Sequence, residues 1–170
     1  MAPRLDTNCV ERLGPSQATG RMRIEASAVI AAPPSRAWVV LADWERQDSW
    51  MPDVAWIRVR GSERERGAEL EVRTKILGVP ILTDAVTVTA WQPPHRLGVE
   101  HRGLVRGWGE WRLEQFGGGT RFVWIEELRL PFGPLGEIAL WMYGPVQRAL
   151  LRRSIRNLKA LCESPAAARS

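Results

Sequence analysis

Three ionisable side chains stand in the apolar register of segments that otherwise alternate. In 81–91, Leu82, Val86 and Val88 share one parity, and Asp84 shares it with them. In 95–102, Leu97 and Val99 carry His101 along, and in 120–130, Phe122, Trp124 and Leu128 carry Glu126. Side chains of a strand alternate between faces, so all three groups point where the apolar residues point. A charge buried without a partner is costly, so such groups pair, make a structural hydrogen bond, or line a wet cavity. An imidazole beside a carboxylate can move a proton, with His101 as base or acid and Asp84 or Glu126 orienting it. Taken singly, each group also reads as an edge position, a framework hydrogen bond, or a residue turned by a bulge.

Other chemistry is poorly supported. Cys9 and Cys162 lie near opposite ends of the chain, with no CxxC and no Cys/His cluster, so no metal site or disulfide framework is indicated. His95 sits beside a Pro-Pro turn. Gly117-Gly118-Gly119 lacks the following helix and Lys-Ser/Thr of a phosphate loop and reads as a hairpin. No nucleophile–base pair stands out, and no cofactor is implied.

The positioning elements follow from periodicity. Residues 1–20 show none and read as a flexible leader, and 164–170 as a flexible tail, leaving 21–163 as one domain. Met22–Ile30 is the first strand, ended by Pro33-Pro34, with Ser35 a helix cap and Ala37–Leu41 a short helix. A second short helix runs from Asp43 to Trp50. Strands then follow at Ala55–Arg60, Ala68–Ile76, Ile81–Trp91, His95–Arg102, Glu110–Gln115 and Thr120–Leu130, with Gly103–Gly109 a turn or bulge. In Ala68–Ile76, Glu69, Glu71, Arg73 and Lys75 face out, so Leu70, Val72, Thr74 and Ile76 face in. Trp111 and Leu113 are the inward register of their strand. A long helix spans Leu135–Glu163; Leu151, Ile155, Leu158 and Cys162 form one stripe, and its basic residues cover the other sides. Gly144-Pro145 should bend or unwind it, leaving 135–145 as a movable lid over a fixed 147–162.

The chain has 170 residues, enough for one domain with a real core. Its net charge is +5, but nearly all the cations are arginines, spread along the chain and often beside acids, as in Glu63-Arg64-Glu65-Arg66. No stripe or motif supports nucleic-acid binding. Met1–Gly20 lacks the apolar core of a signal peptide, and Pro131–Val146 is too short to span a bilayer, so the expected location is cytoplasmic.

The ordered set Ile30-Ala31-Ala32-Pro33-Pro34-Ser35-Arg36-Ala37-Trp38, Leu41-Ala42-Asp43-Trp44, Trp50-Met51-Pro52-Asp53-Val54, Gln92-Pro93-Pro94-His95-Arg96-Leu97, Gly119-Thr120-Arg121-Phe122 and Arg156-Asn157-Leu158-Lys159 resembles the SRPBCC, or START-like, superfamily. Within it, the chain is most similar to the polyketide cyclase/dehydrase group, over about residues 22–163. The resemblance implies an α+β helix-grip fold: a curved antiparallel sheet of about seven strands around a long C-terminal helix, with two short helices after the first strand. It carries no catalytic residue with it, because one fold hosts many tasks.

The implied function is binding of an apolar small molecule (lipid, polyketide or aromatic) in an internal cavity, as carrier or sensor. The alternative is a cyclase, aromatase or dehydratase using Asp84, His101 and Glu126. The expected ligand contacts are Leu70, Val72, Thr74, Val86, His101, Trp111, Trp124 and Glu126 from the sheet, and Ile138, Trp141 and Met142 from the helix. The apolar Pro131–Val146 segment beside a basic helix suggests transient membrane contact. The expected assembly is a monomer or homodimer.

Overall fold

The computed structural model describes residues 10–12, 21–61 and 64–164, with side chains from residue 21 onward. Eight antiparallel strands form one sheet: β1 (Val10–Arg12), β2 (Arg21–Ile30), β3 (Val54–Arg60), β4 (Glu69–Ile76), β5 (Val79–Gln92), β6 (Arg96–Arg102), β7 (Arg106–Phe116) and β8 (Gly119–Arg129). Their order is β1-β2-β8-β7-β6-β5-β4-β3. Helix α1 (Pro34–Leu41) and a 3-10 turn (Trp44–Ser49) connect β2 to β3, and the long helix α2 (Gly133–Glu163) follows β8. This is the expected α+β helix-grip architecture: seven principal strands gripping a C-terminal helix, with a short edge strand added.

Local chemistry fixes the hairpins. Leu77-Gly78 and Gly117-Gly118 are two-residue loops in which both residues have positive φ, the backbone whose twist matches a right-handed pair of strands. Glycine adopts it freely, whereas Leu77 is held there by its hairpin.

Several boundaries differ from the sequence reading. Within the expected leader, Val10–Arg12 pairs with β2, Val10 opposite Ser27; residues 1–9, 13–20 and 165–170 lie outside the described residues. Ser35 does not cap α1: Pro33 holds the cap position without a side-chain bond, and Pro34 starts the helix with its preset φ. Gly107 and Gly109 are not in a turn but inside β7. A Cβ at Gly107 would stand 1.8 Å from the Glu127 carbonyl oxygen, so glycine there reflects close strand approach at a φ of +146°. A shift between Val88 and Ala90 turns Trp91 inward, where it meets Trp38 and Trp44 at 5.0 and 5.9 Å between centroids. Helix α2 runs unbroken through Pro145, so the expected unwinding is not there.

The two halves of α2 are held differently. In the C-terminal half, Leu151, Ile155, Leu158 and Cys162 are buried as expected. The Lys159 ammonium donates to the Val29 carbonyl at 2.6 Å, the Glu163 carboxylate accepts from the Ala31 N–H at 2.6 Å, and Asn157 donates to the Trp50 carbonyl at 3.2 Å. Lys159 is therefore not part of a merely solvated face. In the N-terminal half the buried strip is Gly136, Leu140 and Gly144, one per turn. At Gly136 a Cβ would stand 3.0 Å from the Leu130 Cβ, so the helix start lies close against the end of β8.

Candidate functional site

The inner face of the sheet is divided. Toward one end, Leu97, Leu113 and Phe122 are buried together with Trp50, Trp111 and Trp124, while Leu70 and Val86 are buried on the same rung as His101. The three tryptophans meet edge-on at centroid distances of 5.4 to 6.0 Å, a favoured geometry for aromatic pairs. At the other end, the inward positions Val72, Thr74 and Ile76 of β4, Leu82 of β5 and Val99 and His101 of β6 remain partly accessible. Inward side chains that stay half-open are free to line a cleft, the usual form of a small-molecule site.

At the floor of this cleft β6 and β8 are separated by β7, yet His101 Nε2 and Glu126 Oε1 are 3.7 Å apart. The register explains it. Gly107 lies opposite His101, and Gly109 opposite Glu126. Both glycines occupy the inward parity of Trp111 and Leu113, so no side chain rises between the imidazole and the carboxylate.

Glu126 is 9% exposed, and among the described residues its Oε2 has no hydrogen-bond partner, while the side chain accepts a bond from Gln147 of α2. Burial, and then the like charge of Asp53, push its pKa up to about 7, against the stabilising bond from Gln147. Burial lowers the His101 pKa, partly offset by Asp84. Near neutral pH the pair is therefore a neutral imidazole beside a carboxyl group that exchanges its proton readily. Asp53, in the turn before β3, is itself raised by burial, opposed by a backbone hydrogen bond and by Lys75. The Tyr143 phenol of α2 is raised by burial and by Asp53.

Asp84 behaves differently. It is buried on the inward face, but Oδ1 accepts the Leu104 N–H at 2.8 Å. A Cβ on Gly103 would stand 1.8 Å from the same oxygen, so Asp84 holds the β6–β7 turn and touches His101 only through its field. It is a framework acceptor, not a third arm of the pair.

Of the expected ligand contacts, His101 and Glu126 come together, and Val72 and Thr74 are half-buried inward positions of β4, four strands along the sheet from β8. Leu70, Val86, Trp111 and Trp124 are buried in the core, Val86 directly opposite His101. Ile138, Trp141 and Met142 do not face the cleft: they are 55%, 80% and 67% exposed, because α2 buries its Gly136, Leu140 and Gly144 side instead. Tyr143 and Gln147 are the residues that α2 brings to the polar group. Gln147 and Asp53 carried no periodic signal that could single them out. Gly107 and Gly109 did carry one, standing in an apolar register with no side chain. Among the described residues no group of three His, Cys, Asp or Glu side chains could hold a metal.

The sequence profile of the family described as polyketide cyclase / dehydrase and lipid transport matches residues 21–163. No curated protein matches the chain. Solved structures share the fold. A protein of Thermus thermophilus is 20% identical with a TM-score of 0.70, covering 87% of this chain and 99% of its own. The Zhui aromatase/cyclase of a Streptomyces species is 16% identical with a TM-score of 0.68, covering 84% and 94%. The di-domain aromatase/cyclase StfQ of the steffimycin biosynthetic pathway is 16% identical with a TM-score of 0.69 over 86% of this chain, which spans 52% of that longer protein. With the profile covering nearly the whole described domain, the chain belongs to the polyketide cyclase/dehydrase and lipid transport family.

Proposed function

We propose that the protein binds an apolar small molecule carrying one polar group, as a carrier or sensor. The apolar body lies along Val72, Thr74, Ile76, Leu82 and Val99, and the polar group reaches Glu126. The observation that carries this is the unpartnered Oε2 of a buried carboxyl at the floor of a half-open apolar cleft. A buried polar atom without a partner is costly, and a ligand hydroxyl or carbonyl would remove that cost. As a carboxylic acid Glu126 can donate to a carbonyl; as a carboxylate it can accept from a hydroxyl. Organic extraction of the purified protein followed by mass spectrometry tests this reading directly. A co-purifying or titrating ligand that Glu126→Leu releases supports it; binding indifferent to that change removes Glu126 from the site.

The His101–Glu126 distance favours a second reading, dehydration of a polyketide-like substrate. Neutral His101 would take a proton from the carbon beside a carbonyl. Protonated Glu126 would give its proton to the departing hydroxyl, so that water leaves and a carbon–carbon double bond forms. The proton on His101 then passes to the Glu126 carboxylate and restores both groups without a redox partner. If turnover of an identified β-hydroxy ketone survives His101→Phe, this reading fails while the binding reading stands.

A further inference from the structure

Helix α2 is apolar on the side opposite its buried strip. Leu135, Ile138, Trp141 and Met142 share one face between 55% and 80% exposed, whereas a surface helix ordinarily turns polar residues outward. The same end of the molecule exposes Leu77, Val79 and Ile81 on the β4–β5 hairpin, Leu104 on the β6–β7 turn, and Phe132 before α2. Strand direction places both turns, the end of β8 and the start of β2 on one rim, the rim nearest Ile76, Leu82 and His101. An exposed apolar surface this extensive marks an interaction site.

That rim is also cationic. Arg21, Arg129, Arg106 and Arg102 are directly paired across β2, β8, β7 and β6, one rung of four arginines on the outer face. They line a groove of about 450 Å³ together with Trp108. Arg21 pairs with Glu127 and Arg102 with Glu100, but Arg106 and Arg129 have no acidic partner among the described residues. Like charges held on neighbouring strands are unfavourable unless an anion answers them.

We infer that this rim docks on an anionic membrane surface, with Trp141, Met142 and the hairpin side chains in the interface and the arginine rung against lipid phosphates. Charge decides between occupants. In a two-fold dimer closed over the same rim, each arginine rung would approach its copy, whereas an anionic bilayer answers both the apolar side chains and the cations. Among the described residues no helix is long and apolar enough to cross a membrane, and docking needs none. The orientation turns the mouth of the cleft toward the lipid, which deepens the binding reading without depending on it.

Flotation of the full chain with vesicles tests the inference. Phosphatidylcholine vesicles containing phosphatidylglycerol should carry the protein up at low salt, and pure phosphatidylcholine or high salt should not. The double change Trp141→Ser, Met142→Ser, at exposed positions, should abolish flotation with the thermal transition unchanged. Arg106→Gln with Arg129→Gln should weaken it about thirtyfold, since each interfacial arginine contributes roughly a factor of five. No flotation with anionic vesicles at low salt overturns the inference. So does flotation that ignores both double changes, or a dimer in solution that the Trp141 change dissociates. Failure here with a ligand still bound in the cleft would leave the proposed function intact.

Discussion

The packed and open ends of the inner face are made from the same strands by the same alternation, yet they do different work. At the packed end, inward positions carry Trp, Phe and Leu, and their rings fill the space under α2 and the 3-10 turn. At the open end, β7 contributes Gly107 and Gly109, and a His–Glu pair occupies the floor. Two buried carboxyls sharpen the contrast. Glu110, on the outer face, would be raised by burial, but hydrogen bonds from Arg96 and Arg112 outweigh this and lower its pKa. Glu126 is as buried and lacks any cation within bonding distance except an imidazole that burial keeps neutral. Side chains that fold the protein are satisfied; those at the open end are left with something to bind.

The largest expected difference between the ends is in stability. We predict that Trp124→Ala costs about 3–5 kcal/mol in urea unfolding, because it empties a fully packed aromatic site. Val72→Ala, at a half-open position, should cost under about 1 kcal/mol, since little enclosed cavity forms. Equal losses at the two positions would mean that the cleft is simply core.

The second difference is in pH dependence. Glu126 has a folded pKa raised from 4.5 to about 7, so its ionisation is easier in the unfolded chain. Its contribution is fully present below pH 4.5 and is lost as pH rises through about 7. At about 1.4 kcal/mol per pH unit, the penalty above pH 8 is about 3 kcal/mol. Glu126→Gln removes this ionisation. We predict that it raises stability above pH 8 by up to about that amount relative to wild type. His101, lowered by burial, works in the opposite direction and loses stability as pH falls below its unfolded pKa. A variant whose stability falls with rising pH as steeply as wild type would contradict the burial of Glu126.

Much of this was legible in the sequence. Alternation in Ala68–Ile76 and the register of Asp84, His101 and Glu126 put the right faces inward, because the irregularity opposite Thr74 and Lys75 lies outside the Leu82–Val88 run that carries Asp84, and β6 and β8 pair with β7 without a shift. The bulge near Thr89 comes just beyond, and it moved Trp91. The face of α2 was misjudged because that half carries apolar residues on nearly every side, with Glu137 its one charge. Periodicity cannot choose between Leu140 and Trp141 when the small glycine at 136 decides which side can approach the end of β8. Asp84 shows the remaining limit: parity gave its face, but only the fold of the β6–β7 turn showed that its carboxylate is already engaged.

Two smaller effects separate the ends further. Gly109→Val would place its Cβ 3.3 Å from a Val99 methyl and raise a wall between His101 and Glu126. We predict modest loss of stability but at least about tenfold weaker ligand binding, the value of one lost hydrogen bond. Amide exchange along α2 should be faster in 133–145, which has one buried large side chain, than in 147–162, which is tied to β2 and to Trp50. Uniform protection would show that α2 is one rigid element and has no lid.

The most direct test of the central claim is calorimetric titration with 2-naphthol, an apolar planar body bearing one hydroxyl, against wild type, Glu126→Leu and Val72→Trp. We expect saturable one-to-one binding to wild type, at least about tenfold weaker binding to Glu126→Leu for the lost hydrogen bond, and none to Val72→Trp, whose indole fills the cleft. Naphthalene should bind wild type and Glu126→Leu alike. Binding of 2-naphthol that is equal in all three proteins would contradict a ligand site at the open end.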